Sequence, residues 1–223
     1  MAGHTLEVLD DAEAVARRGA ELIAESARAA TAARGEFMMA ASGGHTPWAM
    51  YGQLEEQELP WTATELFQAD ERIAPAGSPD RNLTHLIAAF SIGAQGSLRP
   101  MPVDDGEAGA QRYSSQLPDA LDLVHLGLGP DGHTASLVPG DPVLDVTDRR
   151  VAVTGGTYQG THRMTLTYPA LAAAERMLWI VTGDAKREPL AKLLAMDDSI
   201  PAGRVEPGGE SLILADREAA PQG

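Results

Sequence analysis

The chain has 223 residues, 43% of them hydrophobic and 22% charged, with a formal net charge of −15. That length can bury a sizeable core in one large domain or two small ones. The negative balance argues against a nucleic-acid partner, although a local pocket can still be positive. With no cysteine in the chain, disulfides, thiolate metal sites and a cysteine nucleophile are excluded.

The opening stretch MAGHTLEVLDD has neither a basic segment nor an apolar one, so no signal peptide is expected. No apolar run reaches the ~20 residues of a membrane span, and a cytoplasmic location is expected. LEVL at 6–9 reads as the first strand. A long helix follows over 10–34, with Asp10 as N-cap, Glu13 three residues on, Val15, Leu22 and Ile23 on one stripe, and Gly35 as its stop. The next strand is FMMAA (37–41), then a helix over 47–58 opening with Pro47 and a strand ELFQ (65–68). Helices are predicted over 82–90 and 107–117, followed by strands LDLVHLG (121–127) and VAV (151–153). The last elements are a helix over 168–175, strand MLWIVT (177–182), a helix over 184–196 and strand SLILA (211–215). Gly, Pro, Ser and Thr mark 74–82 and 154–162 as loops, and residues from about 217 to 223 are expected to fray.

Several strand runs are apolar at consecutive positions, which suits burial on both faces. Alternating strands and helices along the whole chain predict an α/β fold. It is expected to be a doubly wound, mostly parallel sheet with helices on both faces, forming a single domain over residues 1–223. In such sheets the ligand lies beyond the carboxyl ends of the strands. Four clusters then share one edge: Ser42-Gly43-Gly44-His45-Thr46, Asp70-Glu71-Arg72, Gly127 to Ser136, and Gly183-Asp184-Ala185-Lys186.

Each cluster has a plain structural reading beside a chemical one. The paired glycines before a helix either make a tight turn or turn backbone N–H groups toward an anion, with Ser42 and Thr46 adding hydroxyls. The DER triplet is either a solvated strand exit or, through Arg72, an anion contact. Lys186 and Lys192 are the only lysines. Lys186 begins a helix, where a cation is disfavoured unless it faces an anion. Gly127-x-Gly129-x-x-Gly132 has dinucleotide-fingerprint spacing, but no acid ends the following run VAV, so that reading fails. A turn has no need of a histidine, which makes His133 the main candidate for proton transfer near neutral pH. Asp131 is placed either to orient it or to hold the turn. His125, inside an apolar run, reads as a core residue. No pair of histidines has ligand spacing and no G-x-S-x-G elbow is present, so neither a metal site nor a serine nucleophile is expected.

Taken in order, ASGGHTP, DERIAPAGSPDRN, LGLGPDGHTASLVPG, HRMTLTYPAL and GDAKREPL resemble the 6-phosphogluconolactonase family, within the wider glucosamine-6-phosphate isomerase/6-phosphogluconolactonase superfamily. The resemblance implies a parallel α/β fold and hydrolysis of 6-phospho-D-glucono-1,5-lactone, without metal or other cofactor. It implies that the Ser42-Gly43-Gly44 loop, Arg163 and Lys186 hold the phosphate. It also implies that Asp70, Arg72 and Asn82 line the sugar, and that His133 does the proton transfer, with Asp131 beside it as the second catalytic candidate. The expected partner is a small sugar-phosphate lactone, bound by a monomer or weak homo-oligomer, with neither nucleic acid nor membrane. The alternatives are a glucosamine-6-phosphate deaminase and a sugar-phosphate-binding domain without turnover. The deaminase branch carries a carboxylate five residues after the histidine, where this chain has Val138. Two departures stand out: His45 replaces the usual Ser or Thr, and GGTYQGTH replaces a Pro-rich approach to Arg163.

Overall fold

The computed structural model describes residues 3–90 and 97–221, apart from the side chains of His45 and Glu55. Ten strands are described: β1 (Thr5–Leu9), β2 (Phe37–Ala41), β3 (Thr64–Gln68), β4 (Asp70–Arg72), β5 (Leu98–Arg99), β6 (Leu123–Gly127), β7 (Val151–Val153), β8 (Arg163–Leu166), β9 (Arg176–Val181) and β10 (Glu210–Asp216). The α-helices are α1 (Ala12–Arg34), α2 (His45–Gln53), α3 (Asn82–Ala89), α4 (Gly106–Gln116), α5 (Tyr168–Ala172) and α6 (Arg187–Leu194). Seven strands form one parallel sheet in the order β1-β10-β9-β6-β2-β3-β5.

The side-chain alternation of each central strand feeds two cores. On one face Phe37, Met39 and Ala41 of β2 and Leu178 and Ile180 of β9 pack with Val15, Ile23 and Ala27 of α1, Met50 of α2 and Leu86 of α3. On the other, Ala40, Met177, Trp179 and Val181 pack with Tyr113 of α4, Leu171 of α5 and Leu190 of α6. Burial on both faces explains why these strands read as unbroken apolar runs.

Chain order sets the position of the ligand crevice. From β2 the chain moves outward to β3 and β5, then returns so that β6 lies against the opposite edge of β2. The connections therefore diverge where β2 and β6 lie side by side. A crevice opens beyond their carboxyl ends, as at the switch point of other doubly wound sheets.

The structure corrects the sequence reading in several places, among them the predicted 168–175 helix, which stops at Ala172, and the predicted 184–196 helix, which is a 3₁₀ turn at Asp184–Lys186 followed by α6. Asp11, not Asp10, caps α1, its carboxylate accepting the Ala14 N–H at 2.8 Å; Asp10 pairs instead with Arg217 at 2.6 Å. The predicted 47–58 helix stops at Gln53 and tightens into a 3₁₀ turn at Leu54–Glu56. VAV does not join the parallel sheet. It is β7 of a separate antiparallel sheet, β4-β8-β7, whose strands are too short for their periodicity to distinguish the two arrangements. Finally, residues 217–220 do not fray: Ala219 is buried and its N–H, like that of Ala220, bonds back to Asp216. Gly35 ends α1 with a left-handed φ of 84°, as expected.

Candidate active site

A cavity of about 550 Å³ occupies the crevice at the switch point. Ser42, Gly43, Gly44, Thr46, Asp70, Arg72, Asn82, His133, Arg163 and Lys186 all line it. These residues come from the ends of β2, β4, β6 and β9, from the start of β8 and from the first residue of α3.

The loop after β2 enters α2 through Gly44, whose φ of 135° is unfavourable for any other residue. Gly43 packs so tightly on Asn82 that an added Cβ would lie 2.6 Å from its Cγ. The hydroxyls of Thr46 and Thr182 meet at 2.6 Å, joining this loop to the end of β9. The side chain of His45 lies outside the described residues.

Beneath the loop, the Tyr51 hydroxyl lies 3.0 Å from the Ser42 carbonyl and 2.7 Å from His125 Nδ1. His125 is fully buried, and burial pushes its imidazole down to about 3. It supports the loop from below as a neutral core residue, in agreement with the sequence reading.

The turn after β6 carries Asp131 and His133 as a contacting pair. His133 Nδ1 lies 2.5 Å from Asp131 Oδ1, and the Gly129 N–H donates to the His133 carbonyl at 2.8 Å. The bond at Nδ1 leaves Nε2 as the ring nitrogen free for other contacts. Burial raises the Asp131 carboxyl, but bonds from His133 and Tyr158 and the charge of His133 outweigh it, holding it well below the usual carboxylate range. Asp131 is therefore an anion throughout the neutral range. Gly132, at φ 82°, lies against Ile200, whose Cβ would be 2.5 Å from an added Cβ. Two of the three glycines that mimic a dinucleotide fingerprint, Gly129 and Gly132, thus serve close packing around His133 and Ile200, whereas a Cβ on Gly127 would meet nothing within 4 Å.

The antiparallel sheet aligns the remaining polar wall. β4 and β8 pair Arg72 with Arg163 and Asp70 with Thr165. Asp70 is buried, accepting from Ser136 Oγ at 2.6 Å and Asn82 Nδ2 at 3.1 Å. Glu71 points the other way and is wholly structural. Fully buried, it accepts the N–H groups of Arg72 at 2.7 Å, Asn82 at 2.7 Å and Leu83 at 2.8 Å, and so anchors the start of α3. This separation of two adjacent acids follows from strand alternation.

Arg163 is 3% exposed. Burial lowers the pKa of its guanidinium, opposed first by the charge of Asp70. Burial likewise lowers the Lys186 ammonium, with the Asp131 charge opposing. Ser42 Oγ, Arg72 Nε and Arg163 Nε are buried without a hydrogen-bond partner among the described residues. Three cations and several free donors in one cavity make a positive site on a protein of net charge −15.

Three contributors were not singled out from sequence. Tyr158 and Gln159 stand in the loop before β8 and contact the His133 pair and Arg163. Their signal is an aromatic residue inside a Gly/Thr turn, five positions before an arginine. Asp216, at the end of β10, accepts the Gly183 N–H at 3.1 and 3.0 Å and fixes the turn that carries Lys186. It gives no local signal, because the contact joins the ends of two neighbouring strands 33 residues apart in the chain.

Among the described residues, no group of three His, Asp or Glu is placed to hold a metal ion, and no helix is long and apolar enough to cross a membrane. A family model described as glucosamine-6-phosphate isomerases/6-phosphogluconolactonase matches residues 10–214. The 6-phosphogluconolactonase of Nostoc sp. is 36% identical, with 96% of each chain covered. That of Pseudomonas aeruginosa is 32% identical, with 88% of each covered. Among solved structures, 6-phosphogluconolactonase from Thermotoga maritima superimposes with a TM-score of 0.86 at 25% identity, covering 96% of this chain and 100% of that one. A monomeric glucosamine-6-phosphate deaminase shares the fold at a TM-score of 0.82 and 20% identity, covering 96% of this chain and 98% of its own. By the match over residues 10–214 and these near full-length relatives, the chain belongs to the glucosamine-6-phosphate isomerase/6-phosphogluconolactonase family.

Proposed function

We propose that the protein hydrolyses 6-phospho-D-glucono-1,5-lactone to 6-phospho-D-gluconate, the second step of the oxidative pentose phosphate pathway. The observation that carries this reading is the Asp131–His133 pair in the same cavity as Arg163, Lys186 and the Gly43–Gly44 loop. The cationic side chains and helix-start N–H groups suit a phosphate dianion. Asp70, Arg72 and Asn82 offer acceptors and donors to sugar hydroxyls.

Nε2 of neutral His133 takes a proton from water as the water oxygen bonds to C1. The imidazolium is stabilised by Asp131, then returns that proton to the ring oxygen as the C1–O bond breaks. Arg72 or backbone N–H groups stabilise the oxyanion. General-base help of ~10²–10⁴-fold, with positioning, suffices for an activated ester. Val138, where the deaminase branch has its carboxylate, is a buried apolar residue that transfers no proton.

The test generates the lactone in place with glucose-6-phosphate dehydrogenase and compares its decay with and without the protein. Faster decay that disappears in His133→Ala supports the reading. Decay at the spontaneous rate overturns it, and ammonia release from glucosamine 6-phosphate would establish the deaminase instead.

A further inference from the structure

We propose that Tyr158 is a positioning residue that locks the Asp131–His133 pair and ties it to Arg163, an inference that rests on the hydrolytic reading above. The Tyr158 hydroxyl donates to Asp131 Oδ2 at 2.9 Å, while Oδ1 of the same carboxylate meets His133 Nδ1 at 2.5 Å. Both carboxylate oxygens are thus engaged, and Asp131 is held against rotation. The Tyr158 ring meets the His133 ring edge-on, with centroids 5.1 Å apart. Its face also takes the Arg163 guanidinium, whose Cζ lies 4.9 Å from the centroid. Arg163 Nη2 donates to the Tyr158 carbonyl and to Gln159 Oε1, each at 3.2 Å.

The backbone is shaped to make these contacts. The Tyr158 N–H bonds the Thr161 carbonyl at 2.9 Å across a two-residue turn. Gln159 and Gly160, at φ 52° and 86°, occupy its centre, as a hairpin turn with two left-handed residues requires. Glutamine is a poor choice for that conformation, and strain of this kind clusters at functional positions. Here its side chain reaches the cavity.

The charged groups around the pair are Asp131 on its own turn, Arg163 on β8, Arg72 and Asp70 on β4, and Lys186 after β9. Burial and then Asp131 raise the Tyr158 phenol, opposed by Arg163. Tyr158 therefore remains a protonated donor at working pH. Its bond withdraws electron density from the carboxylate that faces the imidazole. Without it, Asp131 would favour the imidazolium more strongly, and the acidic limb of the rate profile would move to higher pH.

Two substitutions separate the hydroxyl from the ring. In Tyr158→Phe, kcat should fall about 3- to 10-fold, KM should stay within about twofold, and the acidic limb of kcat/KM should move up by several tenths of a pH unit. In Tyr158→Ala, KM should also rise about 3- to 30-fold, because the guanidinium loses its aromatic support. A Tyr158→Phe enzyme whose kcat and pH profile superimpose on the wild type overturns the proposal. Should the wild type leave the lactone untouched, the hydrolytic reading fails instead. NMR titration of the His133 ring in the wild type and in Tyr158→Phe then decides separately. Protonation at higher pH in the variant supports the coupling, and identical curves overturn it.

Discussion

Gly129 lies directly under the imidazole of His133: a Cβ built there would fall within the ring's own volume and 2.7 Å from Asp131 Oδ1. The ring can fold back onto its carboxylate only because this position has no side chain. Gly129→Ala should therefore displace the imidazole while leaving the two cores intact. A misplacement of about 1 Å can cost ~10²-fold in rate, so kcat should fall by about that factor with a melting temperature close to wild type. Steady-state kinetics alongside a thermal melt checks this; an unchanged kcat would show that the ring's position is not limiting.

The elements that could be read from the sequence are those whose local signals agree with their surroundings. FMMAA, LVHLG and MLWIV are apolar at successive positions because both faces of the sheet are covered, and the four clusters beyond strand ends do share one cavity. What escaped depends on contacts between distant segments. DER and RMTL are too short to announce a second sheet, yet their pairing places Arg72 beside Arg163. Glu71 looks like Asp70 in sequence, and only strand alternation sends one to the α3 start and the other to the cavity. Tyr158 becomes visible as a partner of Asp131 once the hairpin folds over a turn 27 residues away.

Lys186 should act on the phosphate and on little else. Lys186→Ala is expected to raise KM for the phosphorylated lactone about tenfold or more with a small change in kcat, the pattern of lost ground-state binding. With unphosphorylated glucono-1,5-lactone the same substitution should change KM by less than about twofold. Equal losses on both substrates would remove the phosphate assignment. Because burial lowers the ammonium from its ordinary value, affinity should decline on the alkaline side before an exposed lysine would titrate.

His125 predicts a pH dependence of stability rather than of rate. Its folded-state value, about 3, lies below the ordinary 6.5, so the unfolded chain accepts a proton that the folded protein refuses. The neutral ring costs nothing above pH 6.5, and stability is lost as pH falls from 6.5 toward 3, by up to about 1.4 kcal/mol per pH unit from this group. His125→Asn keeps a polar atom near the Tyr51 hydroxyl but cannot titrate. Denaturant melts at several pH values should give a shallower slope for the variant than for the wild type over that window. Parallel slopes would show that the ring is protonated in the fold after all.

Asp216 reaches the site only through the turn it holds. Its carboxylate accepts the Gly183 N–H with both oxygens and the Ala219 N–H at 2.8 Å, and Gly183, at φ 90°, begins the turn that presents Lys186. Asp216→Ala strips the partners from two backbone donors, a loss of about 1–3 kcal/mol in stability. It should also let the turn relax, so that the ammonium leaves the place proposed for the phosphate. KM should rise several-fold while kcat stays within about twofold, although Asp216 does not line the cavity. The decisive comparison is a double-mutant cycle. If Asp216 acts by aiming Lys186, the double alanine variant binds no worse than Lys186→Ala alone, because the second substitution disorders a side chain that has already gone. Additive losses in KM would instead mean that Asp216 shapes the cavity by a route independent of the lysine.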